Sequence, residues 1–87
     1  MAKRVLGALV LGTVLAASLA WALVDADTGA LWVQASSQQK IQVANILSRE
    51  LGVDPWKLLQ CLDKIFADPA NTKMTIRHAA QQCKAQQ

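Results

Sequence analysis

The stretch Asp54–Pro69, DPWKLLQCLDKIFADP, decides how the rest of the chain is read. Asp54 offers a short side-chain acceptor to the free N–H groups of a first helical turn. Pro55 follows at the first helical position, where its missing donor costs nothing. Leu58, Leu59, Cys61, Leu62, Ile65 and Phe66 then recur on one broad face, while Lys57, Gln60, Asp63 and Lys64 fall on the other. Pro69 closes the helix, because the residue before a proline is pushed out of helical geometry. The helix thus carries the Cys61 thiol towards the core.

Toward the C-terminus, the turn PANTKM leads to Thr75, a cap for a further helix. Ile76, Ala79, Ala80 and Cys83 lie at i, i+3, i+4 and i+7 of that helix, with Arg77, His78, Gln81 and Gln82 between them. Toward the N-terminus, Ser36 or Ser37 opens a helix, and Ser36 with Gln39 fits a capping box. Ile41, Ala44, Leu47 and Leu51 give its apolar stripe, flanked by Val43 and Ile46, and Gly52 supplies the left-handed residue that ends it. The expected fold class is all-α: an N-terminal signal or apolar helix, then a small three-helix domain with one disulfide. No internal repeat and no strand pair is found.

That disulfide is the strongest constellation in the chain. Cys61 and Cys83 fall on the apolar stripes of neighbouring short helices, and the turn between them lets the stripes meet. No C-x-x-C redox arrangement exists, and two cysteines are too few for a cysteine-only metal site. His78 would add only a third ligand and is read as an exposed polar residue, so neither a metal nor a cofactor is expected.

Residues 1–24, MAKRVLGALVLGTVLAASLAWALV, begin with Lys3 and Arg4 and then run without charge from Val5 to Val24. This is the layout of a secretory signal, with small residues placed for cleavage after Ala20 or Ala22. The competing reading is an uncleaved anchor, since such a segment just reaches across a bilayer. Both readings put the C-terminal body outside the cytoplasm, where a disulfide persists. The expected organisation is residues 1–22 as signal peptide or anchor, 23–35 as a linker or extended arm, and 36–87 as the helical domain. Removal of the signal leaves about 65 of the 87 residues, close to the lower limit for a self-sufficient core. A staple is expected at that size.

The formal charge of +3 is unevenly placed. From Leu23 onward seven bases (Lys40, Arg49, Lys57, Lys64, Lys73, Arg77, Lys84) face six acids (Asp25, Asp27, Glu50, Asp54, Asp63, Asp68), a net of +1. A nearly neutral body does not support polyanion binding. The run VANILSRELGVDPWKLL has a helix-turn-helix outline, but its second helix would offer Trp56, Lys57, Gln60 and Lys64 with Asp63 among them, a poor match to a DNA groove. Asp25 and Asp27 ahead of Gly29 resemble the start of a calcium loop, yet the twelfth position is Ser36 where a glutamate is needed. One histidine, no tyrosine and no phosphate-binding glycine loop leave no catalytic set. Asp63 and Asp68 read as solvated charges at a helix surface and its end.

The expected function is therefore that of a small periplasmic or secreted helical protein acting by protein–protein interaction, as an accessory factor, inhibitor or chaperone without catalysis. The alternatives are a single-pass subunit of a membrane complex, held through Val5–Val24, and a DNA-binding protein. The candidate partner contacts are Trp32 and Trp56, since interface anchors are enriched in tryptophan; for Trp32, in a short arm, the competing expectation is that the indole packs onto the domain.

Overall fold

The computed structural model describes residues 21–86. The basic start, the apolar segment from Val5 to Ala20 and the Ala20 cleavage site lie outside the described residues. Ala22 lies inside them and is exposed.

Four α-helices and one 3₁₀ turn make up the described part. They are α1 (Gly29–Gln34), α2 (Ser37–Leu51), α3 (Pro55–Phe66), the 3₁₀ turn Pro69–Asn71 and α4 (Ile76–Ala85). The central element is α3, which packs against α1, α2 and α4. It buries Leu58, Leu62 and Phe66. Leu47 of α2 and Ile76 and Cys83 of α4 meet that face, and Leu23 and Trp32 close it from the N-terminal side. The all-α class and the disulfide hold for this region.

The caps of the three longer helices are the expected ones. Ser36 Oγ accepts from the Gln39 N–H at 3.2 Å while Gln39 Oε1 accepts from the Ser36 N–H at 2.8 Å. Gly52 ends α2 at φ 71°, with its N–H bonded to the Ser48 carbonyl. Asp54 Oδ2 accepts from Lys57 N–H at 2.8 Å at the start of α3, and Thr75 Oγ1 from His78 N–H at 3.1 Å at the start of α4.

Residues 23–35 depart from the extended arm read in the sequence. They contain α1, so the domain has four α-helices among the described residues rather than three. The N–H groups that start α1 are satisfied from far along the chain: Gly29 donates to the Met74 carbonyl at 2.9 Å and Ala30 to the Thr72 carbonyl at 3.0 Å. The arm returns the favour to α4, whose Ile76 and Arg77 N–H groups donate to the carbonyls of Asp27 and Asp25 at 2.8 and 2.9 Å. Two helix starts are therefore capped by each other's flanking backbone, which disposes of donors that would otherwise be orphaned. An isolated antiparallel bridge between Thr28 and Thr75 marks the crossing point. Gly29 is required by close approach: a Cβ there would lie 2.4 Å from Phe66 Cδ1 and 2.9 Å from the Asn71 carbonyl oxygen.

The stripe of α2 is also turned from its expected setting. Val43, Ala44, Leu47 and Ser48 are buried. Ile41 and Ile46, placed on the apolar side by periodicity, stay 42% and 49% exposed. Ser48 is accommodated because its hydroxyl donates to the Asn45 carbonyl at 2.8 Å.

Candidate functional site

Cys61 of α3 and Cys83 of α4 are joined in a disulfide, with Cα atoms 6.0 Å apart and a sequence separation of 22. Cys83 is buried and Cys61 half-buried. No free thiol remains among the described residues to act as nucleophile or ligand. The bond closes a loop that should stabilise the fold by about 3 kcal/mol on the chain-entropy model. It is a structural staple, as the sequence suggested.

Trp32 packs onto the domain as a core residue, the first of the two settings its place in the arm suggests, and is not available as a surface contact. Its side chain is 1% exposed. The ring lies 5.9 Å from that of Phe66, tilted at 44°. Its Nε1–H donates to Asp63 Oδ1 at 2.9 Å, so the polar edge of the indole is satisfied. Lys40 Nζ sits 5.6 Å from the ring centroid and 3.7 Å from the same carboxylate oxygen. Asp63 thus does more than face solvent, since it fixes the outer edge of α1 onto α3.

Asp25 also has a partner. Arg77 Nε donates to Asp25 Oδ2, and Arg77 Nη2 to Glu50 Oε1 at 2.7 Å. These bonds, to Glu50 first and then to Asp25, raise the pKa of the Arg77 guanidinium above its ordinary value. The clasp ties the N-terminal arm, α2 and α4 together at the surface. Asp27 Oδ2 accepts from the Val24 N–H at 2.9 Å in a local turn. Among the described residues no group of three His, Cys, Asp or Glu side chains is placed to hold a metal ion. His78 is exposed, beside Gln82 at 3.3 Å.

Trp56 is the opposite of Trp32. It stands at the start of α3 with 62% of its surface exposed. It overhangs a trough along the antiparallel seam of α2 and α3. One end is a recess of about 190 Å³ lined by Ile41, Ala44, Asn45, Pro55, Trp56 and Leu59. The other, about 210 Å³, shares Ile41, Trp56 and Leu59 and ends at Ser37, Lys40 and Asp63. Ile41 is exposed here because α2 turns Val43 and Leu47 into the core and leaves the seam open beneath Trp56. The trough was not legible in the sequence, because periodicity put Ile41 on the buried stripe of its helix and left Trp56 alone as a signal. A wider recess of about 470 Å³ beside Trp21 is lined by Gln34, Gln38, Gln39 and Gln42 and presents no charged side chain.

The fold and site together define a small all-α domain, stapled by one disulfide, with an apolar trough on its surface. No protein-family model, curated protein or solved structure matches the chain.

Proposed function

We propose that the protein is a small exported helical module that works by binding protein through the α2/α3 trough, with no catalytic step of its own. The observation that carries this reading is Trp56, an indole left 62% exposed at the rim of an open apolar recess. Exposed aromatics beside a pocket are the usual anchors of interfaces. The recesses of about 190 and 210 Å³ fall short of the roughly 300–1,000 Å³ of a small-molecule site, and each suits a single side chain of a partner.

Export is supported by two independent features. The N-terminus has the basic, apolar and small-residue order of a secretory signal. The Cys61–Cys83 bond is compatible with an oxidising compartment such as the periplasm or the cell exterior, where disulfides persist.

Site-specific photo-crosslinking in the producing cell tests the binding face. A photoreactive residue replaces Trp56 in one variant. In the control it replaces Val33, which is 53% exposed on α1 and does not line the trough. A discrete protein adduct from position 56 that position 33 does not give is expected. No adduct from position 56, or the same adducts from both positions, would overturn the proposal.

A further inference from the structure

We infer that the occupant of the α2/α3 trough is an amphipathic helical segment of another protein, apolar on one face and acidic along one edge of that face. This rests on the trough being a protein-binding face and states the chemistry of the partner. The net charge of +1 from Leu23 onward conceals an imbalance in what is already paired. All six acids are held within the domain. Arg77 binds Asp25 and Glu50, while Lys40 and the Trp32 indole N–H bind Asp63. Backbone N–H groups donate to Asp27, Asp54 and Asp68. Of the bases, Arg49, Lys57, Lys64, Lys73 and Lys84 make no ion pair among the described residues.

Two of those free bases border the trough. Trp56, Leu59 and Asp63 line it from α3. Lys57, Gln60 and Lys64 each follow one of them directly in sequence, so they form the next ridge, about 100° further round the helix. All three are exposed. Lys57 and Lys64 are two turns apart, roughly 10 Å, which puts a cation at each end of that ridge. The opposite edge is built differently. Gln38, Gln42 and Asn45 follow Ser37, Ile41 and Ala44 in the same way, and Arg49 comes only one turn beyond them. One edge is cationic and the other is mostly amide.

The floor of the trough sets the shape of its occupant. Pro55 and Asp63 mark the two ends on α3, roughly 12 Å apart at 1.5 Å per residue. The two recesses share Ile41, Trp56 and Leu59, and each suits one side chain. A helix laid along the seam presents anchors at i, i+4 and i+7 over roughly 10 Å, so one anchor enters each recess beside the Trp56 indole. Carboxylates two turns apart on the α3 side of that helix then meet Lys57 and Lys64. Charges on a rim select the partner and speed its approach more than they add affinity. Two separate recesses suit discrete side chains rather than the continuous apolar phase of a lipid surface.

Photo-crosslinking from position 56 in the producing cell, with the crosslinked peptide of the partner sequenced, tests this. That peptide should carry apolar residues at helical spacing, with Asp or Glu along one side of them. Lys57→Glu combined with Lys64→Glu should remove the adduct. Lys73→Glu combined with Lys84→Glu makes the same charge change at residues that do not line or border the trough, and should leave the adduct in place. All four lysines are exposed, and circular dichroism confirms that the variants fold. A synthetic peptide of the crosslinked segment is then titrated into the purified, disulfide-bonded protein. The first pair of substitutions should weaken it about tenfold and remove most of its salt dependence. A crosslinked segment without acidic residues, an adduct to a second copy of this chain, or an adduct that the first pair does not touch would overturn the acidic occupant while the binding role stands. No adduct specific to position 56 removes both. Protein that pellets with phosphatidylglycerol vesicles while position 56 gives no protein adduct would assign the face to a membrane instead.

Discussion

The indole N–H of Trp32 reaches across the domain to Asp63 Oδ1 at 2.9 Å, so a short N-terminal helix is locked onto the outer face of α3. Burial provides most of that lock and the hydrogen bond directs it. Trp32→Ala should lower stability by about 3–5 kcal/mol, the range for emptying a large aromatic site. Asp63→Ala should cost only about 1 kcal/mol, because water can replace the acceptor at a half-open edge. Urea midpoints of the two variants check this. Equal losses would mean that the polar contact, rather than the packed ring, holds α1.

Two glycines should fail for different reasons. Gly29→Ala meets the Phe66 ring, with a Cβ contact of 2.4 Å, and should cost about 1–3 kcal/mol as overpacking. Gly52 has open space around it but sits at φ 71°. Gly52→Val should cost about 1–2 kcal/mol from backbone strain, and Gly52→Asn much less. Thermal midpoints of the three variants separate clash from strain. A Gly29→Ala protein as stable as the wild type would show that α1 does not approach Phe66 this closely.

The helices that were legible in the sequence are those whose signals are local. Ser36 with Gln39, Asp54 with Pro55, and Thr75 each announce a helix start within a few adjacent residues, and all three caps form. The cysteine positions gave the staple for the same reason, since two periodic stripes bring them together. The first helix was hidden because GALWVQ has six residues, too few to show a period, and its N–H partners lie at Thr72 and Met74. Packing of Trp32 onto the domain was legible from its place in a short arm, but the helix that carries it there was not. The outward setting of Ile41 was equally illegible: α2 has apolar residues on two overlapping stripes, and only the positions of α3 and α4 decide which is buried. The clasp of Arg77 to Asp25 and Glu50 joins three elements, and no local pattern encodes it.

Reduction of the disulfide, or Cys83→Ser, should lower stability by about 2–4 kcal/mol. The start of α4 is held independently through Ile76 to Asp27 and Arg77 to Asp25. Loss of protection should therefore begin at the far end, around Gln81–Gln86, and reach Ile76 last. Hydrogen exchange on the reduced protein reads this order. Uniform loss across α4 would show that the backbone contacts with the arm do not survive without the bond.

Trp56→Ser should change stability by less than about 0.5 kcal/mol, because the side chain is mostly in water. Chemical denaturation measures it. A loss of several kcal/mol would make Trp56 a structural residue and remove the ground for treating the trough as a binding face.

All of this assumes a domain that leaves the reducing cytoplasm and closes Cys61 onto Cys83. Intact mass of the native protein, alkylated without reduction, tests both parts at once. The expected result is a chain beginning at Trp21 or Leu23, two hydrogens lighter than its reduced mass and carrying no alkyl group. A chain that begins at Met1 or Ala2 and carries two alkylated cysteines would contradict it.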